Sequence, residues 1–275
     1  MPMKSILTYW NGSPSSEKQI SAAVAAAQQF DAHLSIAAIG YAPEIVGDVP
    51  YGYGGLEVRE KLNAHAEEDA AKLVVEATER LKIESLRGEA FPLVTTPAEL
   101  ALKFGRRARY ADLVVLAQPV GDDFYQGAKR AFEGALFHGD AAVLICTETV
   151  NLNPKRVMIA WDGSPVALRA VRRAHPLLVS VDEIEIVLVD ASADQMHSAE
   201  ELALMLSRYD LPTSIARVAS DDMTDAEALK RHQIESGAEL MISGAYGHSR
   251  FRELLLGGVT RDLPGITAVP LFMAR

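Results

Sequence analysis

One short segment of this chain occurs twice. Residues 5–14, SILTYWNGSP, return as residues 156–165, RVMIAWDGSP. Trp10, Gly12, Ser13 and Pro14 match Trp161, Gly163, Ser164 and Pro165, with Asn11 facing Asp162, at a constant offset of 151 residues. A second pair, ADLVVLA at 111–117 and AELMISG at 238–244, matches at an offset of 127. Landmarks that recur in the same order across 275 residues predict two homologous domains in tandem, each of ordinary domain size. We place them at residues 1–150 and 151–275, with the seam in the polar stretch TETVNLNPK, 147–155. Between its landmarks the first copy is about 24 residues longer, a surplus expected near residues 41–57 and in a longer helix after them.

Each copy alternates strand and helix. In the second, RVMIAW reads as a buried strand, and DGSP then opens a helix, with Ser164 as N-cap and Pro165 at the first helical position. Val166, Ala170, Val171, Ala174 and Leu178 recur at helical spacing, and Arg169, Arg172 and Arg173 take the other face. EIEIVLVDAS is the next strand and SAEELALMLSRYD a helix; LPTSIARVAS is a third strand, followed by the helix DMTDAEALKRHQIESGA, closed by Gly237. ELMISG and AVPLFMA complete the set. The predicted fold class is α/β: two tandem Rossmann-like domains, each a five-stranded, mostly parallel sheet with helices on both faces. Ligands of such sheets bind beyond the carboxyl ends of the strands, where the strand order reverses. Both DGSP and GAYG fall at such ends, and are expected to form one site.

Residues 242–263, ISGAYGHSRFRELLLGGVTRDL, hold Gly244, Gly247, Gly257 and Gly258, followed by Val259 and Thr260. Glycine inside a helix costs roughly 1 kcal/mol against alanine, so this is no helix interior. Glycine permits positive φ and close backbone approach. Successive N–H groups with a helix N-terminus behind them make an anion nest, and VTRDLPG is able to begin that helix. A phosphate chain would lie between the two glycine clusters, with the Thr260 hydroxyl and Arg250 or Arg252 beside it. The same glycines would equally serve a pair of tight turns with no ligand, and the residues alone leave both readings open. No Walker A loop occurs, and GYGGLE at 52–57 places Glu57 where a dinucleotide fingerprint needs glycine.

The order strand, DGS, helix, and then G-x-x-G, nine residues and G at the end of the fourth strand resembles the universal stress protein (UspA) family, here as a tandem two-domain member. The resemblance covers nearly the whole chain, strongly in 155–275 and weakly in 1–150. It implies a five-stranded parallel α/β fold and, for one branch of the family, bound ATP. By the match, Asp162 lies at the adenosine end and the end of strand two near Val189 covers the adenine. Gly244, Gly247, Gly257, Gly258, Val259 and Thr260 hold ribose and phosphates. Two departures stand out. The family's ATP-binding pattern carries Ser or Thr where this chain has Gly258. The lost hydroxyl contact is worth roughly 0.5–1.5 kcal/mol, and up to about 3 to a charged phosphate, so affinity falls by up to about 100-fold. The first copy has Ala117 and Val120 opposite Gly244 and Gly247, and Asn11 for the aspartate, with only Gly134 to match a later glycine; it is expected to be a silent partner.

Other chemistries fit less well. The formal charge of −10 divides evenly, −6 and −4 for the two copies, and so gives no basic footprint for nucleic acid. The densest basic run, KFGRRARY at 103–110, is expected to complement a helix C-terminus. Cys146 is the single cysteine, which excludes an intrachain disulfide, and it reads as a small buried hydrophobe. No apolar run is long enough to span a membrane and the N-terminus has no signal-peptide pattern; a cytoplasmic protein is expected. The seven histidines form no zinc pattern, and no metal site is expected. His248, inside the glycine stretch, would touch a phosphate or face solvent. Asp221, Asp222 and Asp225 read as helix-start carboxylates. No nucleophile elbow occurs, so Ser164 reads as a cap rather than a nucleophile. The functional expectation is therefore a stress-response protein whose second domain binds ATP, with or without Mg²⁺, as a regulatory signal. The alternatives are a module of the same fold acting through protein contacts, or a slow ATP hydrolase. Hydrolysis needs a positioned water and a base or metal, and Asp162 and His248 are the local candidates; no catalytic residue is assigned. Pairing of the two domains, and a homodimer of whole chains, are further expectations, with AVPLFMA as the edge for contact.

Overall fold

The computed structural model describes residues 2–43, 53–119, 127–147, 151–245 and 259–275. The first copy of the repeat runs β1 (Ser5–Trp10), α1 (Pro14–Phe30), β2 (His33–Tyr41), α2 (Tyr53–Ile83), β3 (Gly88–Thr95), α3 (Leu100–Ala108), β4 (Leu113–Ala117), α4 (Ala128–Glu133), a π-helical turn (Gly134–His138) and β5 (Ala142–Cys146). The second runs β6 (Arg156–Ala160), α5 (Pro165–Leu178), β7 (Glu183–Val189), α6 (Ala193–Ser207), β8 (Thr213–Val218), α7 (Asp225–Ser236), β9 (Leu240–Gly244), α8 (Val259–Ile266) and β10 (Leu271–Ala274). Among the described residues each copy supplies five strands, and the α/β class with a mostly parallel sheet is the one expected.

The chain divides into two compact units, Met3–Ala141 and Ala142–Arg275 with Met1–Pro2. Within the first, the strand order is β3-β2-β1-β4, parallel throughout. Within the second, it is β5-β10-β9-β6-β7-β8. There β10, β9, β6, β7 and β8 run parallel, and β5 is antiparallel to β10 through Leu271↔Ile145, Phe272↔Leu144 and Met273↔Val143. Thus β5, the last strand of the first copy in sequence, is a strand of the second unit, so that among the described residues the units hold four and six strands where five each were expected.

The central strands are apolar runs because helices cover both faces of a parallel sheet. β4 and β5 are buried at every position. The repeated segment builds the same helix start in both units. Ser13 accepts a hydrogen bond from Ser16 N, Ser164 accepts one from Ala167 N, and each is followed by proline. α6 begins before the predicted SAEELALMLSRYD segment. Its start is set by a capping box of Ser192 and Gln195, upstream of the buried positions Ala199, Leu202 and Leu206 that carry its periodicity. α7 has a box of Thr224 and Glu227 and ends on Gly237 at φ 68°, as predicted. The longer helix expected in the first copy is present, since α2 has 31 residues against 15 in α6; most of the 41–57 stretch lies outside the described residues.

Candidate functional site

In the second unit β6 lies between β7 and β9, with Ala160 in register with Val187 on one side and Ser243 on the other. The chain builds outward from β6 to β7 and β8, then crosses to β9 and β10, so the strand order reverses between β6 and β9. Asp162 stands two residues past the end of β6, Val189 ends β7, and Gly244 ends β9. All three leave the sheet at the same carboxyl edge, where the first turn of α5 also begins. This is the crevice position that a doubly wound sheet offers to a ligand.

The Asp-Gly-Ser-Pro segment is a turn joined to a helix cap. Asp162 Oδ1 accepts a hydrogen bond from Ser164 N at 2.8 Å, Gly163 takes φ 81°, and Ser164 Oγ accepts from Ala167 N at 3.1 Å. The aspartate thus closes an Asx turn, and glycine supplies the left-handed conformation that other residues resist. The first unit repeats it. Asn11 Oδ1 accepts from Ser13 N at 3.1 Å, and Gly12 has φ 77°. Asp162 itself is exposed.

Gly244 has a packing role that spacing did not disclose. A Cβ there would lie 2.8 Å from Ala167 N, 2.9 Å from Ala167 Cα and 3.2 Å from the carbonyl carbon of Val166. Only a residue without a side chain lets the first turn of α5 settle on the end of β9. Val189 is half-buried at the end of β7, in register with Val218. Next to it Asp190 adopts φ 45° and accepts hydrogen bonds from Ser220 Oγ and Ser220 N, which hold its carboxyl below the ordinary carboxylate range. Val259 opens α8 and Thr260 falls in its first turn, so VTRDLPG does begin a helix. Gly247, Gly257, Gly258, His248, Arg250 and Arg252 lie outside the described residues.

Two residues of α6 reach the edge without having been anticipated. Gln195 Nε2 donates to the Asp162 carbonyl at 3.4 Å, and Trp161 Nε1 donates to Ser198 Oγ at 3.2 Å. The signal that could have found Gln195 is the pattern Ser192-x-x-Gln195, which places a capping box over the end of β7.

The first unit treats the equivalent edge differently. Ala117, opposite Gly244, is buried, and its N–H donates to Gln19 Oε1 at 2.8 Å. Gln19 Nε2 donates in turn to the Tyr9 carbonyl at 2.9 Å, and the side chain is fully buried. Its amide therefore sits between the ends of β1 and β4, which are in register only at Ile6↔Leu113 and Leu7↔Val114. At the corresponding position of the second unit stands Ala170, and β6 and β9 stay in register over four pairs, through Ala160↔Ser243. Gly134, the first copy's one candidate match to a later glycine, opens the π-helical turn and packs against α3; a Cβ there would lie 2.4 Å from Ala101 O.

The remaining candidates resolve into structure. In the basic run, Lys103 donates to the Val94 carbonyl and pairs with Glu99, Arg107 lies over the Phe91 ring at 4.5 Å, and Arg109 donates to the His138 carbonyl. Asp221 pairs with Arg231 and Asp225 lies in the first turn of α7, as helix-start carboxylates should. Cys146 is buried, and burial pushes its thiol up to about 12. Trp161 is buried, whereas Trp10 is half-buried and donates to Glu76 Oε2 at 3.0 Å. Among the described residues no group of three His, Cys, Asp or Glu side chains could hold a metal ion, and no helix is long and apolar enough to cross a membrane.

No family model matches the chain. Universal stress proteins of Mycobacterium tuberculosis and Mycobacterium bovis are 26% identical to it over 230 residues, 75% of this chain and 75% of theirs. Among solved structures, a universal stress protein from Archaeoglobus fulgidus matches with a TM-score of 0.72 at 14% identity, over 98% of this chain and 96% of that one. A putative universal stress protein from Pseudomonas aeruginosa matches with a TM-score of 0.59 at 10% identity, over 99% and 93%. The sequence relatives are universal stress proteins, and the structural likeness extends their fold over both copies of the repeat.

Proposed function

We propose that this chain, a relative of the universal stress proteins with their fold in tandem, binds an adenine nucleotide, ATP, in its second domain and serves in the cytoplasm as a nucleotide-responsive regulator. The observation that carries the reading is the convergence of Asp162, Val189 and Gly244 on one carboxyl edge, at the reversal of strand order, beside the start of α5. The residues present fit the ligand: half-buried Val189 offers an apolar seat to the base, and exposed Asp162 an acceptor at the adenosine end. Gly247, Gly257, Gly258 and Thr260 would receive the phosphates, and Mg²⁺ would arrive with them. The first domain is silent on this reading, because Asn11 and Ala117 stand where the second domain has Asp162 and Gly244, and the fully buried Gln19 amide bridges its β1 and β4 ends where β6 and β9 pair directly.

A second reading, a module of the same fold that works through protein contacts, draws on Gly258, which lacks the hydroxyl of the family's ATP-binding pattern. Thermal unfolding with and without ATP and Mg²⁺ separates the two. Saturating nucleotide at 100 times Kd stabilises the folded state by about 2.7 kcal/mol and raises the midpoint accordingly. An unmoved midpoint at millimolar ATP would favour the second reading. Release of phosphate by the same sample, abolished in Asp162→Ala, would add hydrolysis to binding.

A further inference from the structure

Two loops meet at the nucleotide edge, one from β6 to α5 and one from β7 to α6. Gln195 touches both. Its Oε1 accepts from Ser192 N at 3.0 Å and from Ser192 Oγ at 3.1 Å, which closes the capping box of α6. Its Nε2 donates to the Asp162 carbonyl at 3.4 Å. Two further contacts follow the same seam. Trp161 Nε1 donates to Ser198 Oγ, one turn along α6, and a Cβ on Gly163 would stand 3.3 Å from that same Ser198 Oγ. The first turns of α6 therefore lie directly on the Trp161–Asp162–Gly163 segment. The matching turn of the first unit meets the longer α2 through other side chains: the Trp10 indole donates to a carboxylate, Glu76, and a Cβ on Gly12 would stand 3.5 Å from Leu73 Cδ2.

We infer that Gln195 is a positioning residue for the nucleotide site: one amide both starts α6 and latches it onto the Asp162–Gly163 turn, so that the carboxylate meant for the adenosine end is held against the end of β7. The inference rests on the proposed nucleotide reading and adds to it the residue that joins the site's two loops. A backbone carbonyl held from outside cannot rotate freely, and the Asx turn at Asp162 is then fixed at both its side chain and its main chain. Preorganisation of this kind lowers the ordering cost of binding.

The two jobs of Gln195 can be separated. Gln195→Glu keeps the acceptor that caps α6, since glutamate serves a capping box equally, but has no donor for the Asp162 carbonyl. Gln195→Ala loses both. The experiment measures, for the full chain and both variants, the thermal midpoint, amide hydrogen exchange at Gly163 and Ser164, and affinity for ATP and for uncharged adenosine. Adenosine removes phosphate repulsion from the comparison. Gln195→Glu should unfold at the wild-type temperature, exchange faster at Gly163 and Ser164, and bind both ligands about five- to tenfold more weakly, the effect of one neutral hydrogen bond. Gln195→Ala should show the same loss of affinity together with a lower midpoint. Wild-type exchange and affinity in Gln195→Glu would overturn the inference, and so would faster exchange with unchanged affinity. A wild-type chain that binds neither ligand is a different failure: it removes the nucleotide reading itself, and the inference with it.

Discussion

At the scale of single residues, the glycines divide into those with a packing explanation and those whose role rests on spacing. Gly244 belongs to the first group. Its missing Cβ is the space in which Ala167 sits, so Gly244→Ala would drive a methyl to within 2.8 Å of a backbone nitrogen in α5. Overpacking of this sort costs about 1–3 kcal/mol. The unfolding free energy of Gly244→Ala in urea should fall by that amount, through a lower midpoint at an unchanged slope. This substitution is accordingly a poor probe of nucleotide binding, for which Gly247 is the better position. Asp31 supplies a residue-scale test of electrostatics. Hydrogen bonding and charge from Lys4, with Arg87 beside it, hold its carboxyl below the ordinary value. A group with a depressed folded pKa contributes stability above its unfolded pKa and loses it as pH falls through the folded one. Asp31→Asn should therefore be less stable than wild type at pH 7, and the difference should shrink as pH falls below the ordinary carboxylate range; a difference that did not shrink with acid would contradict this. The spacing of the glycines was visible in the sequence, whereas the contact of Gly244 with Ala167 was not, because it depends on how closely one helix approaches one strand end.

At the scale of elements, the repeated segment was the most legible part of the chain. Ser164 and Pro165 announce a helix start through local chemistry alone, and the cap forms as read. The start of α6 was less legible. Apolar periodicity marks the buried face from Ala199 onward, but the helix begins at Ala193, because Ser192 and Gln195 satisfy its first N–H groups. Capping boxes precede the periodic pattern and have to be read separately from it. The same holds for α7, where the acidic cluster drew attention and Thr224 with Glu227 forms the cap. Thr224→Ala should cost about 1 kcal/mol. Hydrogen exchange across residues 225–229 is the check, and protection equal to wild type would show that the box is dispensable.

At the scale of the whole molecule, the two units share a plan, and one of their differences is a buried amide. Gln19 takes a core-facing position of α1, where the second unit has Ala170, and its amide engages Tyr9 O and Ala117 N across the ends of β1 and β4. A glutamine amid the apolar positions of a helix is a visible anomaly in sequence, but which backbone groups it serves is decided only when the strands are in place. Gln19→Leu keeps the volume and leaves both backbone groups buried without their partner, each at a cost of about 1–3 kcal/mol. The variant should lose several kcal/mol in all by chemical unfolding, and a loss under about 0.5 kcal/mol would show that the ends of β1 and β4 close without it. The sequence spacing could propose a site in 151–275 and its absence in 1–150; it could not show that a side chain bridges the ends of β1 and β4 where β6 and β9 pair directly.

The central claim is one nucleotide per chain, held by the second domain. Isothermal titration of ATP with Mg²⁺ into nucleotide-stripped protein, beside a Gly247→Val variant whose thermal midpoint matches wild type, tests it most directly. A single saturable site per chain, lost in the variant, is the expected result. Two sites would contradict the silent first domain, and no heat up to millimolar ATP would contradict the nucleotide reading altogether.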